Sequence, residues 1–381
     1  MIKRNLTHQI KDRFTKSPAV LIVGPRQVGK TTLAKSLGGK YFDLEKDADK
    51  IKLDLEWQRL IKGNDLLILD EAQMMPEVFG WLRSAIDENR SKNGRFLLLG
   101  SVSPVLMKEV GESLTGRLSI CELSPFSITE LKEQSQDLLW KTGGYPDGGI
   151  LTRDHFPIWQ SDYLELLAQR DFPEWGLPAR PSLTKRLFHM LAATNGQNWN
   201  ASQIGKSLGI NYHSANDYTD FLENVFLIRR LLPFAANLKK RLVKSPKLYW
   251  RDSGLLHSLL GVRFESDLLI QPWIGYSWEG WVIEQTLTYL KTSDKAHRAY
   301  YLRTSDRHEI DLVLELDNRL CAIEIKLTSL PKLSDLDRLE KTAELIKADY
   351  CVLISRTEQS FEDKKKASLN IKSFFTWLDE N

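Results

Sequence analysis

Cysteine, long apolar runs and clustered histidines are all scarce in this sequence. Its 381 residues include three cysteines, Cys121, Cys321 and Cys351, each inside an apolar run and without the spacing of metal ligands. An odd number of such cysteines argues against a disulfide framework and predicts reduced thiols in a cytoplasmic protein. No apolar run approaches the ~20 residues that a membrane-spanning helix needs, so we predict no membrane span.

A large excess of one charge is also missing. Lysine and arginine number 53 against 50 aspartates and glutamates, which leaves a net charge of +3. Total charge therefore does not indicate a polyanionic partner, and any such inference must rest on local clusters. The composition, 42% hydrophobic and 27% charged, is typical of globular proteins, and the length predicts two or three domains.

A glycine-rich turn follows the first apolar run, Ala19–Val23, and precedes a helix-like stretch. In such a turn, glycines let backbone amides close around phosphates, and the next helix directs its positive end at them. Lys30 is expected to reach the β- and γ-phosphates, and the Thr31 hydroxyl to hold Mg²⁺. We therefore predict an ATP and Mg²⁺ site that is contacted by Gly24, Pro25, Arg26, Gln27, Val28, Gly29, Lys30, Thr31 and Thr32.

A second apolar run, residues 66–69, ends in Asp70 and Glu71. It is typical of a buried parallel strand, and ligands of open α/β sheets bind beyond the carboxyl ends of such strands. Asp70 is predicted to join the Mg²⁺ shell, and Glu71 to orient and deprotonate an attacking water. The alternative is a pair of solvated carboxylates at a strand end.

Two further polar residues are candidates for sensing the nucleotide. Ser101 follows the strand-like run Arg95–Leu99 and either senses the γ-phosphate or caps a helix before Pro104. Arg117 is either a transition-state arginine, acting in cis or across a subunit contact, or an ordinary surface arginine.

Strand-like runs at 19–23, 40–44, 65–70, 95–100 and 118–123 alternate with helical stretches, which predicts an α/β fold with a parallel P-loop NTPase sheet over residues 1–124. Residues 125–181 are predicted to form a helical lid or connector, in which Ser127 and Glu130 resemble a capping box that opens a helix. Residues 182–260 are predicted to form a winged helix, with helices at Ala201–Leu208 and Tyr212–Asn224. Residues 261–381 form a last α/β unit.

The wing is strongly basic. Between Asn224 and Arg251 there is no acidic residue, and the cations are Arg229, Arg230, Lys239, Lys240, Arg241, Lys244, Lys247 and Arg251. Such a segment could follow a nucleic-acid backbone, so nucleic acid is the predicted partner. The alternatives are a solvated basic face or a contact with acidic ATPase residues. The preceding helix is acidic, which favours a structural or protein-binding role for that helix.

Two alternating segments near the C-terminus, Glu309–Leu316 and Arg319–Lys326, flank Asp317-Asn318, a sequence suited to a two-residue hairpin turn. That register places Asp311 opposite Glu324, an unfavourable pairing of like charges that a divalent cation would relieve. Lys326 shares a face with Glu324.

A glutamate from a preceding helix is predicted to join this patch. Glu279 lies on the apolar stripe of the helix Trp278–Leu290, whereas Glu284 lies well off that stripe. A buried glutamate needs a partner, and the carboxylate patch is a plausible one. The alternative is an exposed hairpin with charged outer positions, in which Lys326 pairs with Glu309.

This constellation resembles the core of PD-(D/E)XK nucleases, with Ile310 where that group's namesake proline stands. The resemblance implies that Glu279, Asp311 and Glu324 bind Mg²⁺ or Mn²⁺, and that Lys326 positions water or stabilises the pentavalent phosphate. The whole chain resembles uncharacterised bacterial and archaeal AAA-type ATPases of the additional-strand class, by landmarks at Gly24–Thr32, Leu67–Gln73, Leu98–Ser101, Gly116-Arg117, Glu122–Phe126, Gly143–Pro146, Lys247–Asp252, Gly275–Glu284 and Glu309–Lys326.

Two functions follow as expectations. The first is an ATPase whose nucleotide state controls a metal-dependent nuclease domain acting on nucleic acid. The second is an ATP-dependent switch whose C-terminal domain binds a protein or nucleic acid without cleaving it. An oligomer is compatible with both.

Overall fold

The structure is a computed structural model that describes residues 2–100, 110–131, 136–178, 180–234, 243–305 and 308–381. Ser101, Lys239, Lys240 and Arg241 lie outside the described residues. No helix in the described ranges is both long enough and apolar enough to cross a membrane.

The N-terminal third is built on a five-stranded parallel sheet of order β2-β3-β4-β1-β5. Its elements are α1 (Leu6–Lys16), β1 (Ala19–Val23), α2 (Lys30–Ser36), β2 (Lys40–Asp43), α3 (Asp47–Lys62), β3 (Leu67–Asp70), α4 (Glu77–Glu88), β4 (Phe96–Leu99) and β5 (Leu118–Glu122). The predicted parallel sheet is confirmed. All five residues of β1 are buried because neighbouring strands flank it on both sides.

The middle of the chain is helical. It contains α5 (Gln136–Thr142), α6 (Ile158–Leu166), α7 (Pro181–Ala193), α8 (Ala201–Leu208) and α9 (Tyr212–Asn224). The bounds of α8 and α9 match those expected from the sequence, and Asn200 and Asn211 cap them by accepting from Gln203 N and Ser214 N. Half of the expected capping box is present, because Glu130 accepts from Ser127 N, but residues 128–130 form a turn; residues 132–135 lie outside the described ranges.

The C-terminal part contains an eight-stranded mixed sheet of order β12-β13-β11-β10-β9-β8-β6-β7. Its elements are β6 (Ile228–Pro233), β7 (Lys247–Trp250), α10 (Ser253–Leu259), α11 (Glu265–Leu269), α12 (Ile274–Thr292), β8 (His297–Arg303), β9 (Glu309–Leu316), β10 (Arg319–Ile325), α13 (Leu333–Ala343), β11 (Tyr350–Ile354), β12 (Phe361–Asp363), β13 (Lys366–Leu369) and α14 (Ile371–Glu380). The hairpin β6–β7 therefore extends this sheet across the boundary predicted at residue 260.

The β9–β10 hairpin has the expected register. Leu316 pairs with Arg319, and the ladder continues to the pair Leu312 and Ile323. The turn residues Asp317 and Asn318 have φ of 45° and 67°, as a type I′ turn requires.

The expectation for Glu284 is wrong. Both Glu279 and Glu284 are buried, because α12 is covered on more than one side and residues 277–287 are all buried.

The hairpin turn is testable by substitution. Asn318→Val should lower the free energy of unfolding by about 1 kcal/mol or more, because a β-branched residue is strained at positive φ. Asn318→Gly should leave it unchanged or raise it. Thermal melting compares the two, with Glu362→Val on the exposed strand β12 as the control. A melting temperature for Asn318→Val equal to that of the unsubstituted protein would contradict the assignment of strain to this position.

Candidate functional site

The glycine-rich turn joins the carboxyl end of β1 to α2, as expected. Gly24 has φ of 149°, and a Cβ at this position would lie 2.2 Å from the carbonyl oxygen of Leu123. Gly29 has φ of 92° and immediately precedes α2. The turn therefore needs glycine at both positions, and the amides at the start of α2 face the cleft in front of it.

Lys30 is folded back into the turn. Its Nζ donates to the carbonyl oxygens of Gly24 (3.0 Å) and Pro25 (2.8 Å). Burial lowers the pKa of Lys30 to about 8, against the opposing charges of Glu71 and Asp70. The ammonium thus sits at the centre of the loop, where a phosphate could replace the carbonyl partners.

Asp70 and Thr31 are adjacent, as the sequence predicts. Thr31 Oγ1 donates to Asp70 Oδ2 at 2.7 Å, and the Tyr41 hydroxyl donates to the same oxygen at 2.7 Å. A hydroxyl and a carboxylate fit Mg²⁺, which takes one or two protein oxygens together with phosphate and water. Tyr41 cannot be identified from the sequence without the strand order. In the structure β2 pairs with β3, which places Tyr41 beside Ile68.

Glu71 lies at the mouth of the same cleft. Its backbone has φ of 48°, in the left-handed region that non-glycine residues rarely adopt, and its amide donates to Asp70 Oδ1 at 3.0 Å. Its carboxylate accepts from Gln73 Nε2 at 2.5 Å. The hydrogen bond from Gln73 holds the carboxylate, and backbone strain of this kind is common at functional sites.

A cleft of about 950 Å³ opens in front of the loop. It is lined by the loop, by N-terminal residues and by the segment around α6, where Arg26 Nη1 pairs with Asp171 Oδ1 at 2.6 Å. Arg4 lies at its edge and donates to Val28 O (2.8 Å) and to Glu130 (3.0 Å). These contacts tie the predicted lid segment to the phosphate loop, and no local sequence pattern indicates them.

Arg117 is not placed for a role in cis. It precedes β5, and Leu118 pairs with Ala19 at the start of β1, whereas the phosphate loop follows the other end of that strand. The length of the strand separates the two edges by about 16 Å. Arg117 instead forms a two-point ion pair with Asp87 (2.9 and 2.8 Å). A role across a subunit contact stays a prediction.

The C-terminal carboxylates line a second cleft, of about 920 Å³. Glu279, Asp311, Glu324 and Lys326 all face it, so the structure brings together the four residues that the sequence singles out. Burial, and then the charges of Glu279 and Glu324, raise the pKa of Asp311 well above its usual range. Asp311 Oδ2 accepts from the Ile325 amide at 2.9 Å, and Glu324 pairs with Lys326 at 2.8 Å.

An ammonium occupies the middle of this cluster. Lys247 Nζ lies 2.9 Å from Glu279, 2.8 Å from Glu309 and 3.9 Å from Asp311. Within the part of the chain that the structure describes, no three His, Cys, Asp or Glu side chains are grouped so that they could hold a metal ion. The arrangement does not fit the divalent cation that the nuclease resemblance implies.

Most of the basic segment that the structure describes is paired with acidic residues, and nucleic acid as a partner stays a prediction. Arg229 pairs with Glu284, and Arg230 with Asp220 and Glu223. Lys247 is buried, and the Arg251 side chain is 11% exposed and paired with two glutamates. Of the predicted cations in the described residues, Lys244 remains exposed.

Arg251 joins the two halves of the protein. Its Nη2 donates to Glu122 of β5 and its Nε to Glu284 of α12, both at 2.6 Å. Burial alone would raise the pKa of Glu122, but the charges of Arg251 and Lys291 lower it to about 2. Glu122 is therefore ionised, and the alternative that this segment contacts acidic ATPase residues holds for Arg251.

Three family models match consecutive parts of the chain: an AAA domain over residues 16–132, a domain of unknown function (DUF8612) over 133–266 and a domain of unknown function (DUF4143) over 274–374. The uncharacterized proteins Rv2008c of Mycobacterium tuberculosis and Mb2031c of Mycobacterium bovis are each 35% identical over 337 residues, or 87% of this chain and 75% of theirs.

Among solved structures, the Walker-type ATPase paby2304 of Pyrococcus abyssi is similar with 15% identity over 68% of this chain and 96% of that one, at a TM-score of 0.49. The AAA-domain match, taken with the loop geometry, supports ATP binding and hydrolysis. The predicted domain boundaries stay predictions.

Gly24 provides the test of the nucleotide site. Gly24→Ala should weaken ATP binding at least about tenfold, because its Cβ would collide with Leu123 O and displace the loop. Calorimetric titration with ATP and Mg²⁺ measures the affinity. Gly80→Ala is the matched control, since a Cβ there meets nothing within 4 Å and helix α4 tolerates alanine. Equal ATP affinities for the two variants would refute the assignment of the loop.

Proposed function

This chain belongs to the family of AAA-domain proteins that includes the two mycobacterial relatives, and we propose that it is an ATP-driven switch. In this proposal the nucleotide state of the AAA domain sets the position of a C-terminal α/β domain that binds a macromolecular partner without cleaving it. The observation that carries the proposal is the partly buried bridge from Glu122 through Arg251 to Glu284.

The nucleotide chemistry is assigned to residues around one cleft. Lys30 would neutralise the β- and γ-phosphates, and Thr31 and Asp70 would hold Mg²⁺. The bound ion would supply charge neutralisation on the phosphates. Glu71, fixed beside the loop, would accept a proton from the attacking water.

Few residues separate the phosphate loop from the bridge formed by Glu122, Arg251 and Glu284. Leu123 donates its amide to Val23 O at 2.8 Å, and its carbonyl lies against Gly24. Glu122 directly precedes Leu123 and binds Arg251. A shift of the phosphate loop on nucleotide binding would therefore act on a residue adjacent to the bridge, through tightly packed backbone.

A displacement of Arg251 would act on two other parts of the protein, α12 and the lid region. Through Glu284 it contacts α12, which also carries Glu279 of the second cleft. Its neighbour Asp252 accepts from Gly144 N at 2.8 Å, beside the lid region. Two adjacent residues, Arg251 and Asp252, thus contact the ATPase sheet, the C-terminal domain and the predicted lid.

The finer fold assignments belong to the same proposal. Helices α7–α9 followed by the hairpin β6–β7 have the element order of a winged helix. The order α12-β8-β9-β10-α13-β11 is compatible with a nuclease-like core. Because Lys247 fills its carboxylate cluster, we assign this domain to binding, with a protein or a nucleic acid as the partner.

A metal-dependent nuclease controlled by ATP is the second candidate. It is favoured by one observation, the convergence of Glu279, Asp311, Glu324 and Lys326 on a single cleft. It requires a cation to enter a cluster that already holds Lys247.

The bridge is tested by hydrogen exchange. In the background Glu71→Gln, which should bind ATP but not hydrolyse it, ATP is expected to change amide exchange in α12 and β9–β10. The neutral triple variant Glu122→Gln, Arg251→Met, Glu284→Gln should lose that change and keep ATP affinity within about threefold. All three charges are removed because Arg251→Met alone would leave Glu284 paired with Arg229 and Glu122 paired with Lys291.

The control for this experiment is Arg298→Met, which removes an exposed ion pair with Glu315 on the same sheet. It should retain the ATP-induced change in exchange. An unaltered ATP effect in the neutral triple variant would overturn the assignment of the bridge.

Plasmid nicking separates the two candidates. The switch predicts no nicking by the unsubstituted protein with Mg²⁺ or Mn²⁺, with or without ATP, on supercoiled DNA followed by gel electrophoresis. Nicking that disappears in Asp311→Asn, while ATP hydrolysis persists, would establish the nuclease instead. Nicking that persists in Asp311→Asn would indicate a contaminating nuclease.

A further inference from the structure

The carboxylate cluster of the C-terminal cleft already has a counter-ion. Lys247 Nζ lies within 3 Å of oxygens of both Glu279 and Glu309, and within 4 Å of Asp311. The Tyr249 hydroxyl donates to the same Glu279 oxygen at 2.5 Å. Two side chains of β7 therefore bind Oε1 of Glu279, an oxygen that a metal ion would otherwise use.

Lys247 is held there by its surroundings. The residue is 1% exposed, which leaves the ammonium no route to solvent without a rearrangement. Its backbone pairs with Leu231 on one side and with Asn198 on the other. Next to it, the Trp199 amide donates to Pro246 O at 2.7 Å and the Leu248 amide to Gln197 O at 3.1 Å. The strand that carries the ammonium is thus fixed along both edges.

A divalent ion would have to share these oxygens with the ammonium. Mg²⁺ lies ~2.1 Å from its oxygen ligands, so an ion on Glu279 Oε1 would lie at most about 5 Å from Lys247 Nζ. Two like charges at that distance in a buried site repel strongly. The remaining carboxylate, Glu324, is neutralised by Lys326 at 2.8 Å.

We infer that Lys247 is an internal substitute for a metal ion, and that it closes the C-terminal carboxylate cluster to divalent cations in the nucleotide-free protein. The ammonium of Lys247 then takes the place that a metal ion would have in this cluster. The inference concerns metal binding alone and does not depend on the ATP-controlled bridge, so either can fail without the other.

The experiment counts bound Mn²⁺ by electron paramagnetic resonance of the full chain without nucleotide. The unsubstituted protein and Asp311→Asn should bind the same number of ions. Lys247→Met, which keeps the length of the side chain and removes its charge, should bind one more Mn²⁺ per chain. The double variant Lys247→Met, Asp311→Asn should lose that extra ion.

Lys247→Arg is the matched control because it keeps a cation at this position, and it should gain no ion. If the unsubstituted protein binds a Mn²⁺ that Asp311→Asn removes, the inference is overturned. It is equally overturned if well-folded Lys247→Met gains no ion. If Lys247→Met does not fold, the comparison of the unsubstituted protein with Asp311→Asn still decides, since equal counts support the inference and a lost ion refutes it.

Discussion

The contacts of Arg251 constrain how the ATPase sheet and the C-terminal domain lie against each other. The guanidinium is held, mostly out of solvent, between Glu122 of the ATPase sheet and Glu284 of α12, and Glu284 is also bound by Arg229. Buried ion pairs of this kind add little net stability, since the desolvation of the charges offsets most of their attraction. What they do impose is geometry, because any arrangement that separates the partners leaves a charge buried and unpaired. The relative position of the two sheets is therefore set by charge matching in addition to apolar packing.

The segment Lys247–Asp252 explains why the charges of this region are not available at the surface. Lys247 and Tyr249 point to Glu279, Arg251 to Glu122 and Glu284, and Asp252 to the amide of Gly144. Lys247, Tyr249 and Arg251 are two residues apart, which places them on one side of the segment, and all three bind glutamates of α12. The strand β7 and the two residues after it lie between the ATPase sheet and the C-terminal carboxylates and contact both.

The sequence predicts those features of the structure that are specified by neighbouring residues. The phosphate loop, Asp70 and the hairpin turn at Asp317-Asn318 are specified by adjacent residues with fixed backbone demands, and all three lie where expected. Strand β4 lies between β1 and β3, an order that the local sequence does not specify. The burial of Glu284 and of the cations of β7 escapes prediction because their partners lie 30 residues or more away, and a local pattern cannot distinguish a solvated arginine from a paired one. Tyr41 escapes for the same reason, since its partner Asp70 is 29 residues distant.

The presence of Lys247 in the acidic cleft also weakens the inference of cleavage from the resemblance to nucleases. The four residues that carry the resemblance are present and converge, so residue identity alone favours cleavage. Lys247 belongs to a different segment, and its presence at the cluster follows only from the pairing of β7 with β6 and Asn198. Lys247 and Arg251 lie four residues apart and bind the same helix, Lys247 through Glu279 and Arg251 through Glu284. The chemistry open to the C-terminal cleft therefore depends on a lysine that is not among the four residues that carry the resemblance.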